Sequence, residues 1–473
     1  MNYEDSFKKH CQDYEIGFEI VEKIYEAGGR AYFVGGCVRD TLLGINSHEI
    51  DIESYGLPIT DLQKALKPKF EAHCVGKSFG VLKLKGVPID ISIPRMEKKT
   101  GPLHKDFGIK IDPNLSILSA CERRDFTINS ILWDPLVRKL IDPLNGMEDL
   151  KNRILRHTTE KFSEDPLRVL RAMQLIARFD LRVDPETLEL CKEQSIEKIS
   201  PERIFEEWKK LICQGIVISK GLEFLKVCNW IQYFPELKNL HNCPQNPKWH
   251  PEGDVWQHTK HCMDAFARQR GSLDKQEALV IGFSVLCHDF GKPKKTIIQI
   301  DGKITSKGHE KASVPLTESF LGRMTEEKKL IESILPLVEY HMIPPQFYRD
   351  QSSDVAIRRL SLKVSRIDRL IKVAQCDQLG RPPTKPDVES FSTWLSSKAK
   401  KLKIQQQGLD PILLGRHLIE MGLKPDKRFK KLLESSYEAQ IEGSISTLEQ
   451  AKDYIKSLDA YTHLRQSQFT FEK

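Results

Sequence analysis

Apolar and polar positions alternate over Ala31–Val34, Val81–Leu84 and Ile89–Ile93, and the β-branched content of these runs predicts three short strands. Between them, residues 15–27 and 58–66 repeat their apolar positions at helical spacing. Beyond residue 150 the period of two fades. Arg168–Arg178, Ile204–Ile212 and Leu222–Trp230 read as helices, and a hairpin is expected around Asp301-Gly302. The Pro- and Asn-rich stretch His241–His250 predicts a linker, and Arg381–Pro386 predicts a second boundary. The pattern therefore predicts an α+β head with a small mixed sheet, followed by an all-α body. The expected divisions are a head at 1–150, a helical neck at 151–240, a second functional domain at 250–385 and a helical tail at 386–473.

A chain of 473 residues has room for about three domains. Hydrophobic residues at 40% and charged residues at 29% exclude a disordered or fibrous protein. The longest nearly apolar run, Ala278–Cys287, is too short to span a bilayer, and the N-terminus lacks an apolar signal region. A cytoplasmic protein with no membrane partner is expected. Eleven cysteines without a C-x-x-C pair predict reduced thiols. The excess of 73 Lys+Arg over 66 Asp+Glu, +7 in all, suits a polyanionic partner without identifying one.

Chemistry first gathers at Val34-Gly35-Gly36-Cys37-Val38-Arg39-Asp40, where a strand turns into a helix. Gly35 and Gly36 let backbone amides approach an anion, and Arg39 can clamp phosphate; a plain tight turn would use the same glycines. Glu49 and Asp51 alternate on a strand and share a face, with Asp90 on another strand as a third acid. Such acids repel unless they share cations, and Mg²⁺ suits their oxygens; the exposed face of an edge strand is the plainer reading.

Further along, Arg123 and Arg124 offer cations to a polyanion, Asp125 an acceptor for a ribose hydroxyl, and Asn129 either a contact or a buried turn. Asp165-Pro166 starts a helix, with Asp165 near its cap and Pro166 in its first turn. Arg168 and Arg171 follow on one face, placed to hydrogen-bond a base edge. The order His258, His288-Asp289, Asp377 has the makings of a metal site, with His309 and His341 as further nitrogen donors and Lys292 to neutralise charge. In the tail, Lys427-Arg428-Phe429-Lys430-Lys431 suits either a solvated helix or contact with RNA phosphates.

The run Gly35-Gly36 to Glu49-Ile50-Asp51, with Arg123–Asn129, Asp142–Leu150, Glu164–Arg171 and Pro201-Glu202-Arg203, resembles bacterial class II tRNA nucleotidyltransferases. These are the CCA-adding enzymes and related poly(A) polymerases, within the DNA polymerase β-like nucleotidyltransferases. Val285–Lys292 with Asp377 resembles the HD phosphohydrolases. The resemblance implies addition of C, C and A to the tRNA acceptor–TΨC region from CTP and ATP, by a monomer or homodimer. It implies base selection by Asp165 and Arg168 beside Arg171, and places Arg124, Asp125 and Asn129 around ribose and phosphates. At the HD site it implies Ni²⁺, Mn²⁺ or Co²⁺, with phosphatase and 2′,3′-cyclic phosphodiesterase activity. One departure is Glu49, where the family's first acid is usually Asp. Poly(A), CC-only or A-only addition stays open, as does an HD hydrolase whose head merely binds RNA.

Overall fold

Among the described residues of the first 150, nine strands form: β1 (Arg30–Val34), β2 (Ile50–Tyr55), β3 (Ala72–Val75), β4 (Val81–Leu84), β5 (Ile89–Ser92), β6 (Arg95–Lys99), β7 (Phe107–Ile111), β8 (Leu132–Asp134) and β9 (Lys139–Ile141). Seven of these form one mixed sheet in the order β3-β4-β5-β2-β1-β8-β9, while β6 and β7 pair with each other. The computed structural model describes residues 3–67, 69–75, 80–99 and 107–469. They divide into two units, one running up to Glu207 with Lys220–Trp230, the other comprising Trp208–Ser219 and Ile231 onward.

In the first unit the alternation seen in the sequence works as expected. Strand β2 sends Ile50 and Ile52 into the core and turns Asp51 outward; β5 does the same with Ile89 and Ile91 buried and Asp90 half-exposed. The expected helices form as Tyr14–Glu26 and Ile59–Leu66, and the first buries Ile20, Val21 and Ile24. Further on, Leu167–Phe179 is a helix that buries Val169, Leu170, Met173 and Ile176. Asp165 Oδ1 accepts from the Leu167 amide at 3.1 Å and so caps it, with Pro166 just ahead of the first turn rather than within it. Asp142 caps another short helix, accepting from Gly146 and Met147 amides at 2.8 Å each.

The second unit is helical. Ala278–Cys287 is buried on every side within the helix Lys275–Cys287, so the apolar run is a core helix. The expected hairpin pairs Ile297–Ile298 with Ile304–Thr305. The stretch expected as a linker is instead part of this unit. Asp254 explains why: Oδ1 caps the helix Val255–Gln269 at Gln257, while Oδ2 accepts from the Asn242 amide at 2.8 Å, and Cys243 and Gln245 are buried. In the tail, Leu418, Leu423, Leu432, Ile455 and Leu464 form a small core against which Phe429 packs. The aromatic of the basic patch therefore faces protein, and its lysines face solvent. Among the described residues no helix is long and apolar enough to cross a membrane, and all eleven cysteines are free.

Candidate active sites

Strands β2 and β5 run parallel, and their register sets Asp51 directly beside Asp90. Strand β1 ends at Val34, which faces Asp51 in the antiparallel pairing, so the Gly35 turn opens next to this carboxylate. Gly35 has φ 75° and ψ −133°, a conformation open only to glycine. A β-carbon there would sit 3.4 Å from both Arg124 Nη1 and Asp51 Oδ2, so turn, cation and acid converge. Glu49 lies exposed one residue ahead of β2, its carbonyl held by Ser47 Oγ at 2.8 Å. Loss of hydration among surrounding protein pushes the Asp51 carboxyl up. Arg124 opposes this, and Asp90 and Glu49 push it further. Lys83 Nζ, 3.1 Å from Asp90 Oδ2, relieves only part of that crowding. An all-carboxylate donor set of mutually repelling acids fits a hard divalent cation.

Behind the turn, hydrogen bonds run residue to residue. Arg39 donates to Asp40 Oδ1 (2.8 and 2.6 Å) and to Asn129 Oδ1 (2.5 Å), with its guanidinium over the Phe179 ring. Asn129 Nδ2 donates to Asp125 Oδ1 (2.9 Å), and Arg171 donates to Asp125 Oδ2 (2.7 and 2.6 Å). Against expectation, Arg39 is only 4% exposed and its fork is largely filled by protein acceptors. It braces the turn from below rather than standing free as a phosphate clamp. Asn129 and Asp125 are likewise buried in this relay; burial works against the Asp125 charge, but Arg171 and Asn129 hold its carboxyl below the usual range. Arg168 is fixed by two main-chain carbonyls, Lys161 O at 2.9 Å and Arg123 O at 2.6 Å. The Asp165 carboxylate pairs with neither the Arg168 nor the Arg171 guanidinium: its Oδ2 accepts from Arg203 at 2.7 Å.

Two supporting groups escaped the sequence reading. Glu53 and Tyr55 continue the face of Glu49 and Asp51 by the same alternation, and Glu53 Oε2 accepts from Arg124 (3.2 Å) and Tyr55 Oη (2.8 Å). Arg203 was noted as part of a motif, but its partner could not be read from spacing.

The second unit brings together His258, His288, Asp289, His309, His341 and Asp377, each 6% exposed or less. All four imidazoles are oriented the same way. Nδ1 meets Glu252 Oε1 (2.8 Å) in His258 and main-chain carbonyls in the others: Val285 O at 2.7 Å for His288, Ser306 O at 2.8 Å for His309, Val338 O at 2.7 Å for His341. A carbonyl can only accept, so it fixes the proton on Nδ1 and leaves Nε2 as a donor atom for a metal. His258 and His288 face each other Nε2 to Nε2 at 3.4 Å. His258 Nε2 lies 3.1 Å from Asp377 Oδ1, and His309 Nε2 lies 3.2 Å from Asp289 Oδ1.

The electrostatics of this cluster are those of a cation site. Neither Asp289 oxygen accepts a well-formed hydrogen bond, although Lys292 Nζ is 2.6 Å away. Burial disfavours charge on His288, yet Asp289 and Asp377 hold its pKa up; burial, with His288 and His309, drives His341 down to about 3. Cys262 Sγ approaches His258 Nε2 at 3.4 Å and is a further potential donor in the same set, with burial pushing its thiol well up. Imidazole and carboxylate donors fit a divalent transition metal. Arg381, expected at a boundary, instead braces Asp377 through both oxygens at 2.8 and 2.9 Å. His250, the end of the supposed linker, and Glu252 just past it join the same cluster: Glu252 Oε1 also meets His250 Nδ1 at 2.8 Å.

Comparison with known proteins places residues 31–156 in the poly A polymerase head domain family and 180–240 in a family described as a probable RNA and SrmB-binding site of polymerase A. The multifunctional CCA protein of Alkalilimnicola ehrlichii is 30% identical over 365 residues, covering 74% of this chain and 84% of that protein. That of Xylella fastidiosa is 34% identical over 274 residues, 56% of this chain and 62% of the relative. Among solved structures, the Bacillus stearothermophilus CCA-adding enzyme in complex with CTP shares the fold with a TM-score of 0.65 at 20% identity, covering 97% of this chain and 98% of that one. The Thermotoga maritima CCA-adding enzyme complexed with tRNA matches with a TM-score of 0.57 at 20% identity, over 97% of this chain and 98% of its own.

Proposed function

This chain belongs to the family of multifunctional CCA proteins, and we infer that it adds C, C and A to tRNA 3′ ends from CTP and ATP, releasing pyrophosphate. The observation that carries this reading is the in-register pairing of Asp51 with Asp90 beside the Gly35 turn. Asp51, Asp90 and Glu49 would hold Mg²⁺, which when bound lowers the barrier for a 3′-hydroxyl to displace pyrophosphate from an α-phosphate. The chain's own part is positioning and charge. Gly35 and Gly36 offer amides to the triphosphate, and Arg124, steadied by Glu53, presents a guanidinium beside Asp51. The Arg39–Asn129–Asp125–Arg171 relay ties that turn to the helix carrying Arg168. Asp165, held by Arg203, supplies the acceptor and Arg168 the donors that read a base edge.

The decisive experiment is incorporation of labelled CTP and ATP, separately and together, into tRNA transcripts ending before C, after CC and after CCA, with product ends sequenced. Addition of CCA followed by arrest is expected. Unlimited A addition would make the protein a poly(A) polymerase, and CC or A alone a partial enzyme.

The aligned imidazoles favour a second activity. His258, His288, Asp289 and Asp377 would hold a transition metal such as Ni²⁺, Mn²⁺ or Co²⁺, with His309 and His341 as further donors. When bound, such a metal supplies a nucleophile for phosphate esters, including 2′,3′-cyclic ends. Lys292, beside Asp289, is placed to offset charge on the departing phosphate. Metal-dependent phosphate release that is lost in Asp289→Ala tests this activity.

A further inference from the structure

Asp51 and Asp90 are held in place by the sheet, but Glu49 lies exposed one residue ahead of β2, beyond the paired register. A glutamate also has one more rotatable bond than an aspartate, so its carboxylate is the costliest of the three acids to fix. Its main chain is held from residues 10–12 instead. Cys11 and Ser47 form a short parallel bridge, in which the Ser47 amide donates to His10 O at 2.7 Å and the Gln12 amide donates to Ser47 O at 3.0 Å. Side chains repeat the pairing on either side: His10 Nδ1 meets Asn46 Oδ1, and His48 Nδ1 meets Gln12 Oε1, at 2.9 Å each. Ser47 itself is buried, and its Oγ turns forward to donate to Glu49 O at 2.8 Å.

The other side of this arm is anchored close to the glycine turn. Helix Tyr3–His10 buries Phe7, whose ring stacks on Trp133 at 4.6 Å. Ser6 Oγ donates to Thr41 O at 3.4 Å, and Cys11 Sγ lies 3.1 Å from Thr41 Oγ1. Thr41 belongs to the helix Gly36–Leu42, which begins in that turn. The arm thus joins the helix behind the Gly35 turn to the loop that carries Glu49, and Ser47 is the point where the second contact is made. We propose that Ser47 is a positioning residue for Glu49: it sets where the longer acid leaves the main chain, so that its carboxylate reaches the same divalent cation as Asp51 and Asp90. This rests on the reading above that Glu49 is a cation donor, and extends the transfer site to a side chain that touches neither nucleotide nor metal.

The test uses the full chain with Ser47→Ala, Ser47→Thr, Glu49→Gln and the double variant of Ser47→Ala with Glu49→Gln. Ser47→Ala is expected to raise the half-saturating Mg²⁺ concentration for CTP incorporation about tenfold with the KM for tRNA unchanged, and Ser47→Thr, which keeps the hydroxyl, to restore it. In the Glu49→Gln background the same serine change is expected to cost nothing more, because a residue that acts through Glu49 cannot add to its loss. Equilibrium binding of CTP in the absence of tRNA gives a readout free of turnover. There Ser47→Ala is expected to bind about tenfold more weakly in Mg²⁺ and as well as the parent in a chelator. A further full loss in the double variant, or equal weakening with and without metal, would make Ser47 a support of the fold alone; either result overturns the proposal. An unshifted Mg²⁺ requirement in Glu49→Gln sinks the cation-donor reading, and the proposal with it. A shift in Glu49→Gln with none in Ser47→Ala leaves that reading standing and overturns the role of Ser47.

Discussion

Glu53 accepts a hydrogen bond from Arg124 at 3.2 Å, and the same oxygen takes the Tyr55 hydroxyl at 2.8 Å. A buried carboxylate thereby holds a guanidinium beside the Gly35 turn. Glu53→Gln keeps the shape but removes the charge that attracts Arg124. The expected result is a KM for CTP and ATP raised about tenfold, with the KM for tRNA unchanged. Steady-state incorporation kinetics with each substrate varied in turn check this.

Arg203 is the partner of Asp165, so the acceptor proposed to read the base is positioned by a side chain from a later helix. Arg203→Ala removes the partner of Asp165 Oδ2 and leaves the carboxylate to the Leu167 amide at Oδ1. Misincorporation of GTP or UTP relative to CTP is expected to rise about tenfold, since discrimination of this kind depends on a fixed hydrogen-bond pattern. Sequencing of the added nucleotides measures it.

The Asp51 carboxyl is held above its ordinary range, chiefly by loss of hydration, with Arg124 opposing and Asp90 and Glu49 adding to the rise. A carboxylate must lose its proton to bind Mg²⁺, so apparent Mg²⁺ affinity is expected to weaken as pH falls through that raised value. Removing a like charge in Asp90→Asn lowers the Asp51 pKa and moves the acid limb to lower pH, while the maximal rate falls. Mg²⁺ titrations of incorporation across about pH 5–8 decide the sign.

Metal removal is expected to separate the two proposed activities. Dialysis against a chelator followed by metal analysis is expected to strip transition metal from the histidine cluster and abolish phosphate release, with activity returning on Mn²⁺, Ni²⁺ or Co²⁺. His288→Ala is expected to prevent reloading and cut phosphate release at least about a hundredfold, since it removes a donor from the cluster.

Much of the head was legible because a half-buried strand writes its burial into alternation: Ile50 and Ile52 in, Asp51 out. The same parity reached Glu53 and Tyr55, whose role depends on Arg124 arriving from far along the chain. Arg39 illustrates what local pattern leaves out. Its motif suggested a free cation, while its acceptor Asn129 lies 90 residues away and no local pattern reports that the fork is filled. In the second unit the order of His and Asp was readable, but the orientation of each imidazole depends on main-chain carbonyls. The His241–His250 stretch misled because Pro and Asn mark irregular backbone, whether it hangs in solvent or is pinned by Asp254 into a cavity wall.

The parallel pairing of β2 with β5 also has a temporal consequence. Parallel neighbours cannot be closed by a tight turn, so Asp51 meets Asp90 only across a connection that contains β3 and β4, with β4 on the far side of β5. That closure carries a loop entropy the local hairpin β4–β5 avoids, while the pairing of Phe33 with Trp133 across β1 and β8 closes a longer loop still. As the chain emerges, the glycine turn precedes both strand acids, and Arg124, which meets that turn, follows them.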